Sequence, residues 1–220
     1  MFSKTLYHAI KRCEVGEGIV VLKNILEQYG SIMTGVLISS ILAVATAAET
    51  EHVIHPETGI HTWMHHDQGV GFTLMQITPD QARAFFLARG FDRQAVDYYA
   101  SYCVFMTIVR NEAEAGSVVN NLADWRMYHN GNQPEKLKLA SDWLKEWQQR
   151  GISKTSLIAF EWALFPTIQT FEVGDWNQGM TTYVLPPGSV FDLGFTWRVK
   201  GVKHESKLKN VQCAKIEADR

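Results

Sequence analysis

The stretch that decides the fold is residues 186–199, PPGSVFDLGFTWRV, near the carboxyl end of the chain. Two prolines, a glycine and a serine at 186–189 predict a tight turn. From Phe191 onward apolar residues alternate with polar or small ones, which is the period of a strand that buries one face. A turn that leads into a long alternating strand predicts an antiparallel β-sandwich.

Other segments predict further strands and a few helices. With 190–199 included, about seven strands are predicted, and the others are 72–78, 103–109, 118–127, 157–165, 181–185 and 207–213. Short helices are predicted at 80–89, 93–102 and 141–150. The fold class is therefore mainly β, an antiparallel β-sandwich with two or three short helical insertions. The turn and strand resemble those of exported immunoglobulin-like sandwiches, so an immunoglobulin-like topology is expected by analogy.

Composition places the chain among ordinary globular proteins. Its residues are 46% hydrophobic and 20% charged, which excludes a disordered or collagen-like chain. The 21 basic and 23 acidic residues leave a net charge of −2, so nucleic acid is not an expected partner. No linker or internal repeat divides the later part of the chain, and we expect a single domain over 71–220.

The run from Ile32 to Ala48, IMTGVLISSILAVATAA, carries no charged residue. Its central apolar segment, residues 35–44, is shorter than the roughly 20 residues that a membrane-spanning helix needs. Residues 45–47 (ATA) fit the A-x-A pattern of a signal-peptidase site, so residues 1–47 are predicted to form a secretory signal peptide. We expect a periplasmic or secreted protein that keeps no stable membrane anchor after cleavage.

The region before this apolar run is long for a signal peptide. Either the signal has a long n-region, or the true start is Met33, which would leave no positive n-region. A buried core helix and a retained N-terminal anchor are the remaining alternatives for the apolar run.

Cysteine usage agrees with export. Cys13 lies in the leader, so the mature chain keeps two thiols, Cys103 and Cys213. A pair of cysteines in an exported protein predicts a structural disulfide. No C-x-x-C motif is present, which excludes a thioredoxin-like site and a zinc ribbon.

The most unusual segment is 48–70, which we expect to be an extended arm or a loose first strand. Five histidines fall between His52 and His66. Imidazole suits copper, zinc and nickel, whereas the thioether of methionine selects Cu(I), so the mixture predicts copper. The predicted ligands, with two secondary thioethers at the end, are His61, Met64, His65, His66, Met75 and Met180. The alternative is a solvated arm that binds no metal.

A second candidate site is the segment 174–180, GDWNQGM, which its two glycines predict to be a loop. A ligand or partner surface there would use Asp175, Trp176 and Asn177. The structural alternative is a turn in which Asp175 or Asn177 caps backbone amides and Trp176 fills the core.

No motif in the sequence identifies an enzyme. There is no G-x-S-x-G and no phosphate-binding glycine motif, and Glu161, Glu172 and Asp175 cannot be recognised as a glycosidase pair without geometry. Trp143 and Trp147 recur at helical spacing and predict a packing face rather than a carbohydrate platform.

The sequence therefore predicts an exported, non-enzymatic binding or accessory protein, with copper binding through the His/Met cluster as its most specific form. A metal ion or another periplasmic protein is the expected partner. One alternative is a periplasmic interaction or structural module without metal. A hydrolase that acts on cell-envelope material is the other.

Overall fold

The computed structural model describes residues 48–216, and the predicted signal peptide (1–47) lies outside the described residues. Over residues 48–216 the fold is mainly β, with two antiparallel sheets and four α-helices. This confirms the predicted β-sandwich with short helices. No helix in this range is both long and apolar enough to cross a membrane.

The strands and helices of the described chain are numbered in chain order. The strands are β1 (Glu49–Ile54), β2 (His61–Asp67), β3 (Val70–Ile77), β4 (Cys103–Asn111), β5 (Val118–Asn121), β6 (Arg126–Tyr128), β7 (Ile168–Phe171), β8 (Trp176–Tyr183), β9 (Val190–Val199) and β10 (Val202–Gln212). The helices are α1 (Pro79–Leu87), α2 (Arg93–Ala100), α3 (Ala140–Gln149) and α4 (Lys154–Ala163).

Sheet 1 has the strand order β1-β2-β3-β4-β8, and sheet 2 has the order β10-β9-β5-β7, with β6 paired to β9. Strands β1 to β4 follow one another as an antiparallel meander, and α1 and α2 lie in the connection between β3 and β4. An immunoglobulin domain instead distributes consecutive strands between sheets ABED and CFG. The analogy therefore extends to the sandwich and not to its topology.

The structure has two hydrophobic cores, one on each face of sheet 1. The first lies between the two sheets and includes Phe72, Phe105, Phe195 and Trp197. The second lies where the helices cover the outer face of sheet 1, and includes Ile77, Phe86, Val104, Trp143, Trp147 and Phe160. The described chain thus has three layers, helices, sheet 1 and sheet 2.

The stretch 186–199 forms the predicted turn and strand. Gly188 has a φ of 83°, a left-handed conformation that glycine adopts without strain. Strand β9 then alternates, and its inward side chains are all buried: Phe191, Leu193, Phe195 and Trp197.

The prediction of a strand at 157–165 is wrong, because this stretch lies mostly in helix α4. The Ser153 side chain caps the helix by accepting a hydrogen bond from the backbone N–H of Ser156 at 3.2 Å. A short apolar run without alternation fits a helix as well as a strand. The run has two faces, since Phe160 is fully buried and Trp162 is 85% exposed.

Three other expectations are corrected. The segment 48–70 contains the paired strands β1 and β2 rather than an extended arm or a loose strand. The segment 174–180 is mostly strand β8, and only its first two residues belong to a turn. The predicted strand 118–127 is interrupted by a 3-10 turn at Leu122–Asp124.

The predicted disulfide is confirmed. Cys103 begins β4 in sheet 1, and Cys213 follows β10 in sheet 2, with 5.4 Å between their Cα atoms. The bond joins the two sheets directly and spans a sequence separation of 110 residues.

A half-buried lysine, Lys138, connects the segment before α3 to the helical layer. The Lys138 ammonium lies 3.6 Å from the centre of the Trp143 ring and forms an ion pair with Glu146. Tyr98 and Tyr102 lie 5.4 and 4.8 Å from the same ammonium, so aromatic rings enclose the cation.

Candidate functional site

Strand β2 divides the histidine-rich segment between the two faces of sheet 1. His61 and His65 point toward the interior of the sandwich, while Met64 and His66 point away from it, because successive side chains of a strand alternate. One ion cannot contact all four of these predicted ligands. Among residues 48–216, no group of three or more His, Cys, Asp or Glu side chains is arranged to hold a metal ion.

His65 lies at the margin of the core and is only 2% exposed. Its Nδ1 is 2.7 Å from the Thr50 hydroxyl, and its ring packs edge-on against Phe195. Its Nε2 is buried without a hydrogen-bond partner in the described chain. Burial lowers the pKa of His65, and His66 acts in the same direction against the opposing charge of Asp67. These contacts indicate that His65 packs against the core as a neutral imidazole.

His61 pairs with a second histidine rather than with His65. Its Nδ1 lies 3.1 Å from Nε2 of His52, whose ring stacks on Trp63 at 4.6 Å. Burial lowers the pKa of His61, and the charges of His52 and Lys215 lower it further.

On the outer face, His66 and Met64 do not meet the other predicted ligands. His66 Nδ1 lies 2.8 Å from a carboxylate oxygen of Glu112, within hydrogen-bonding distance, and both side chains are exposed. Met64 is half-buried opposite Thr73 of β3.

The two secondary thioethers do come together, and a third methionine lies between them. Met75 of β3 is paired in register with Met106 of β4, and Met106 is paired with Met180 of β8. These three residues, here called the methionine row, therefore cross three adjacent strands on the outer face of sheet 1. Neighbouring strands lie about 4.8 Å apart, so the outer two backbones are separated by roughly 10 Å.

The methionine row forms the floor of a cavity of about 400 Å³, here called the methionine cleft. The hairpin between β1 and β2 borders one side, and α1 borders another. Its walls are formed by His55, Thr58, Ile60, Gln76, Ile77, Gln81 and Phe85. No aspartate or glutamate of residues 48–216 lines this cleft, so its interior offers thioethers, neutral polar groups and one imidazole.

The position of each methionine in the row is set by its surroundings. Met180 is 4% exposed, and the buried Tyr99 hydroxyl donates a weak hydrogen bond to its sulfur at 3.9 Å. Met75 and Met106 are half-buried and face the opening. At the mouth, His55 Nε2 lies 3.2 Å from the Thr62 hydroxyl, which holds the imidazole beside the cleft.

The predicted partner loop has a structural role at Asp175, in agreement with the structural alternative. The Asp175 carboxylate accepts a hydrogen bond from the backbone N–H of Glu172 at 3.0 Å and closes the turn. The Asn177 amide donates to Gln169 at 2.6 Å. Trp176 does not fill the core, since it is 50% exposed, and the Arg110 guanidinium lies 4.8 Å from its ring centre.

The tryptophans of α3 pack as predicted. Trp143 and Trp147 are fully buried and stack on each other at 5.2 Å, which excludes them as exposed platforms for sugars. Trp125 is also buried, at 1% exposure.

Met106 and His55 are the cleft residues that the sequence prediction missed. Met106 lies in an apolar strand where a methionine is unremarkable, and His55 had been grouped with the other histidines of its segment. Strand register identifies Met106, and it becomes available only once β3, β4 and β8 are paired. His55 follows the end of β1, and the fold of the hairpin brings it to the cleft.

No protein-family model, no curated protein and no solved structure matches this chain. Its function is therefore argued from its own side chains.

Proposed function

We propose that the protein is an exported, non-enzymatic metal-binding protein that binds Cu(I) at the methionine row. The observation that carries the proposal is the register of Met75, Met106 and Met180 across three adjacent strands. The proposal keeps copper as the metal and Met75 and Met180 as ligands. Met106 takes the place of the predicted ligands between residues 61 and 66.

The ligand chemistry of the cleft favours a soft ion. Thioether sulfur is a soft ligand that selects Cu(I), whereas calcium, magnesium and manganese require oxygen ligands that are mostly charged. The cleft has three thioethers and no carboxylate among the described residues. The methionine side chain has three rotatable bonds, so the sulfurs of the outer strands can turn toward the central one. His55 at the mouth would supply a nitrogen ligand or shield the ion from water.

The disulfide supports placing this protein in an oxidising compartment. Disulfides persist mainly in exported proteins, where thiols are poor long-term metal ligands because they oxidise. A thioether site needs no free thiol, and the two cysteines of the described chain are bonded to each other.

The test is an anaerobic Cu(I) titration of the mature protein against a chromogenic Cu(I) chelator, with Met106→Leu as the main variant. Leucine keeps the volume and removes the sulfur. Changes in the outer shell of a metal site already cost about 10–100-fold in affinity, so loss of a direct ligand should weaken binding at least about tenfold. X-ray absorption at the copper edge should show sulfur neighbours in the wild type.

Met127→Leu is the matched control, because Met127 is buried in sheet 2 away from the cleft. It should leave Cu(I) affinity unchanged. Replacing His61 and His66 together by Ala tests the histidine tract. If that double variant loses copper while Met106→Leu retains it, the methionine row is not the site.

A periplasmic interaction module without metal is the second candidate. The observation that favours it is the exposure of large apolar side chains, namely 85% for Trp162 and 50% for Trp176. If this candidate is correct, the wild type binds no Cu(I) in the titration. Replacing Trp162 by Ser would then abolish binding to the protein partner without changing the thermal unfolding temperature.

A further inference from the structure

A second cavity lies on the other sheet, far from the methionine row in the layer order. It has a volume of about 600 Å³ and lies on the outer face of sheet 2, where β6, β9 and β10 are side by side. Its floor is Gly194 of β9. We call it the sheet-2 cleft.

Gly194 has no side chain that would fill the cleft, and a cationic residue lies on each side of it. Strand register places Arg126 of β6 and Lys207 of β10 opposite Gly194. A Cβ atom at Gly194 would lie 3.1 Å from Cε2 of Tyr128, tighter than an ordinary contact. The cleft therefore depends on a residue without a side chain at its centre.

The two cations beside the floor are held in place by neighbouring groups. The Arg126 guanidinium donates from Nη1 to the carbonyl oxygens of Ala123 and Trp125, both at 2.7 Å, and its other nitrogens have no hydrogen-bond partner in residues 48–216. The Lys207 ammonium lies 3.8 Å from the centre of the Tyr128 ring and 3.8 Å from a carboxylate oxygen of Asp192. Both positive charges are thus positioned at the cleft before any ligand arrives.

A second pair of cations lies farther along the same strands. Arg198 of β9 is paired in register with Lys203 of β10. Four residues of β-strand separate Arg198 from Gly194, which is about 13–14 Å. The distance between the two cation pairs is larger than one phosphate group, so a single phosphate cannot contact both pairs. An extended anion with several acid groups can.

The remaining lining distinguishes between kinds of extended anion. Between the two cation pairs lie the Thr196 hydroxyl and the Glu205 carboxylate, which is 3.5 Å from the Lys203 ammonium, and Asp124 also lines the cleft. The cleft has no open aromatic face on which the bases of a single-stranded nucleic acid could stack, since Lys207 covers Tyr128. Carboxylates and hydroxyls do suit the many hydroxyl groups of a sugar.

We infer that the sheet-2 cleft binds an acidic polysaccharide, whose acid groups pair with Arg126, Lys207, Arg198 and Lys203 and whose hydroxyls bond to the side chains between them. This site is independent of the proposed copper site, because the two lie on different sheets. The acid group of the sugar can be a carboxylate or a sulfate, and both have the shared chemistry that the cations recognise.

The test is calorimetric titration of the mature protein, without added metal, with oligogalacturonate, whose acid groups are carboxylates, and with dextran sulfate oligosaccharides, whose acid groups are sulfates. Binding of either supports the site, and the tighter one identifies the acid group. Affinity should fall as salt is raised from low to physiological concentration. Neutral dextran should not bind.

The variants separate this cleft from general surface charge. Arg198→Gln and Lys207→Gln should each weaken binding about fivefold, as expected for exposed charge-assisted hydrogen bonds. Lys209→Gln is the matched control, since Lys209 is an exposed cation of β10 that does not line the cleft. An equal loss in Lys209→Gln would overturn the proposal. So would equal affinity for a single-stranded oligonucleotide of the same charge, or failure of both sugars to bind.

Discussion

Removal of the Cys103–Cys213 disulfide should cost this domain more stability than almost any surface substitution. The perturbation is the double variant Cys103→Ala and Cys213→Ala, which removes the bond without leaving a free thiol. For a separation of 110 residues, the chain-entropy relation gives about 4.8 kcal/mol at 25 °C. Both cysteines are almost fully buried, at 2% and 0% exposure, so the smaller alanine side chains add a modest packing loss.

The assays are urea unfolding and thermal unfolding of the oxidised wild type and of the double variant. We expect the free energy of unfolding to fall by about 4–5 kcal/mol and the midpoint temperature by about 10–20 °C. The m-value should rise, because the unfolded chain without the crosslink exposes more surface. The reductant-treated wild type should behave like the variant, and the variant itself should not respond to reductant. A loss below about 1 kcal/mol would refute the view that this bond ties the two sheets together.

Two further predictions concern ionisable side chains. In the unfolded chain His65 has its ordinary pKa of about 6.5, whereas burial lowers its pKa in the folded protein. The contribution of His65 to the free energy of unfolding is therefore fully present above pH 6.5. It should fall by up to about 1.4 kcal/mol per pH unit as the pH drops toward the folded pKa. Urea unfolding from pH 7.5 to pH 5 should show this slope, with a smaller slope in His65→Phe; equal slopes would contradict it. Lys138→Met should lower the free energy of unfolding by about 1–3 kcal/mol, because it removes the cation from the Trp143 ring and from Glu146. Guanidinium unfolding measures this loss, and an unchanged midpoint would show that the enclosed cation adds nothing.

The parts of the fold that were predictable are those in which a local pattern has one physical solution. Strand β9 alternates over its whole length, and the stretch at 72–78 does the same, so both strands were predicted nearly to their ends. Helix α3 has two tryptophans at helical spacing and a glycine stop. The disulfide followed from the two cysteines that remain after residue 47 in a chain predicted to be exported.

The errors arose where a local pattern has two solutions. The run 157–165 is apolar on almost every residue, and only packing decides between a buried strand and helix α4. At 174–180 the glycines predicted a loop, but Gly179 lies inside β8, where the backbone of Phe165 crosses so closely that no side chain would fit. A glycine required by close approach looks the same in the sequence as a glycine required by a turn.

The candidate site could be predicted only in part, because it depends on which strands are neighbours. Histidines close in sequence were expected to converge, yet alternation along β2 sends His61 and His66 to opposite faces. Met75 and Met106 are 31 positions apart in the chain and become neighbours through the pairing of β3 with β4. The sheet-2 cleft was not predicted at all, because its cations come from three strands whose order the sequence does not reveal.

Strand β1 has a consequence for how this protein behaves at high concentration. It forms one edge of sheet 1, nearly all of its side chains are exposed, and its outer backbone groups have no neighbouring strand in the described chain. Such an edge can template pairing with another molecule, and charged side chains are the usual protection. Here Glu49 and Glu51 supply that protection. Resistance of this edge to pairing at high concentration therefore depends on two charged side chains that lie outside both hydrophobic cores.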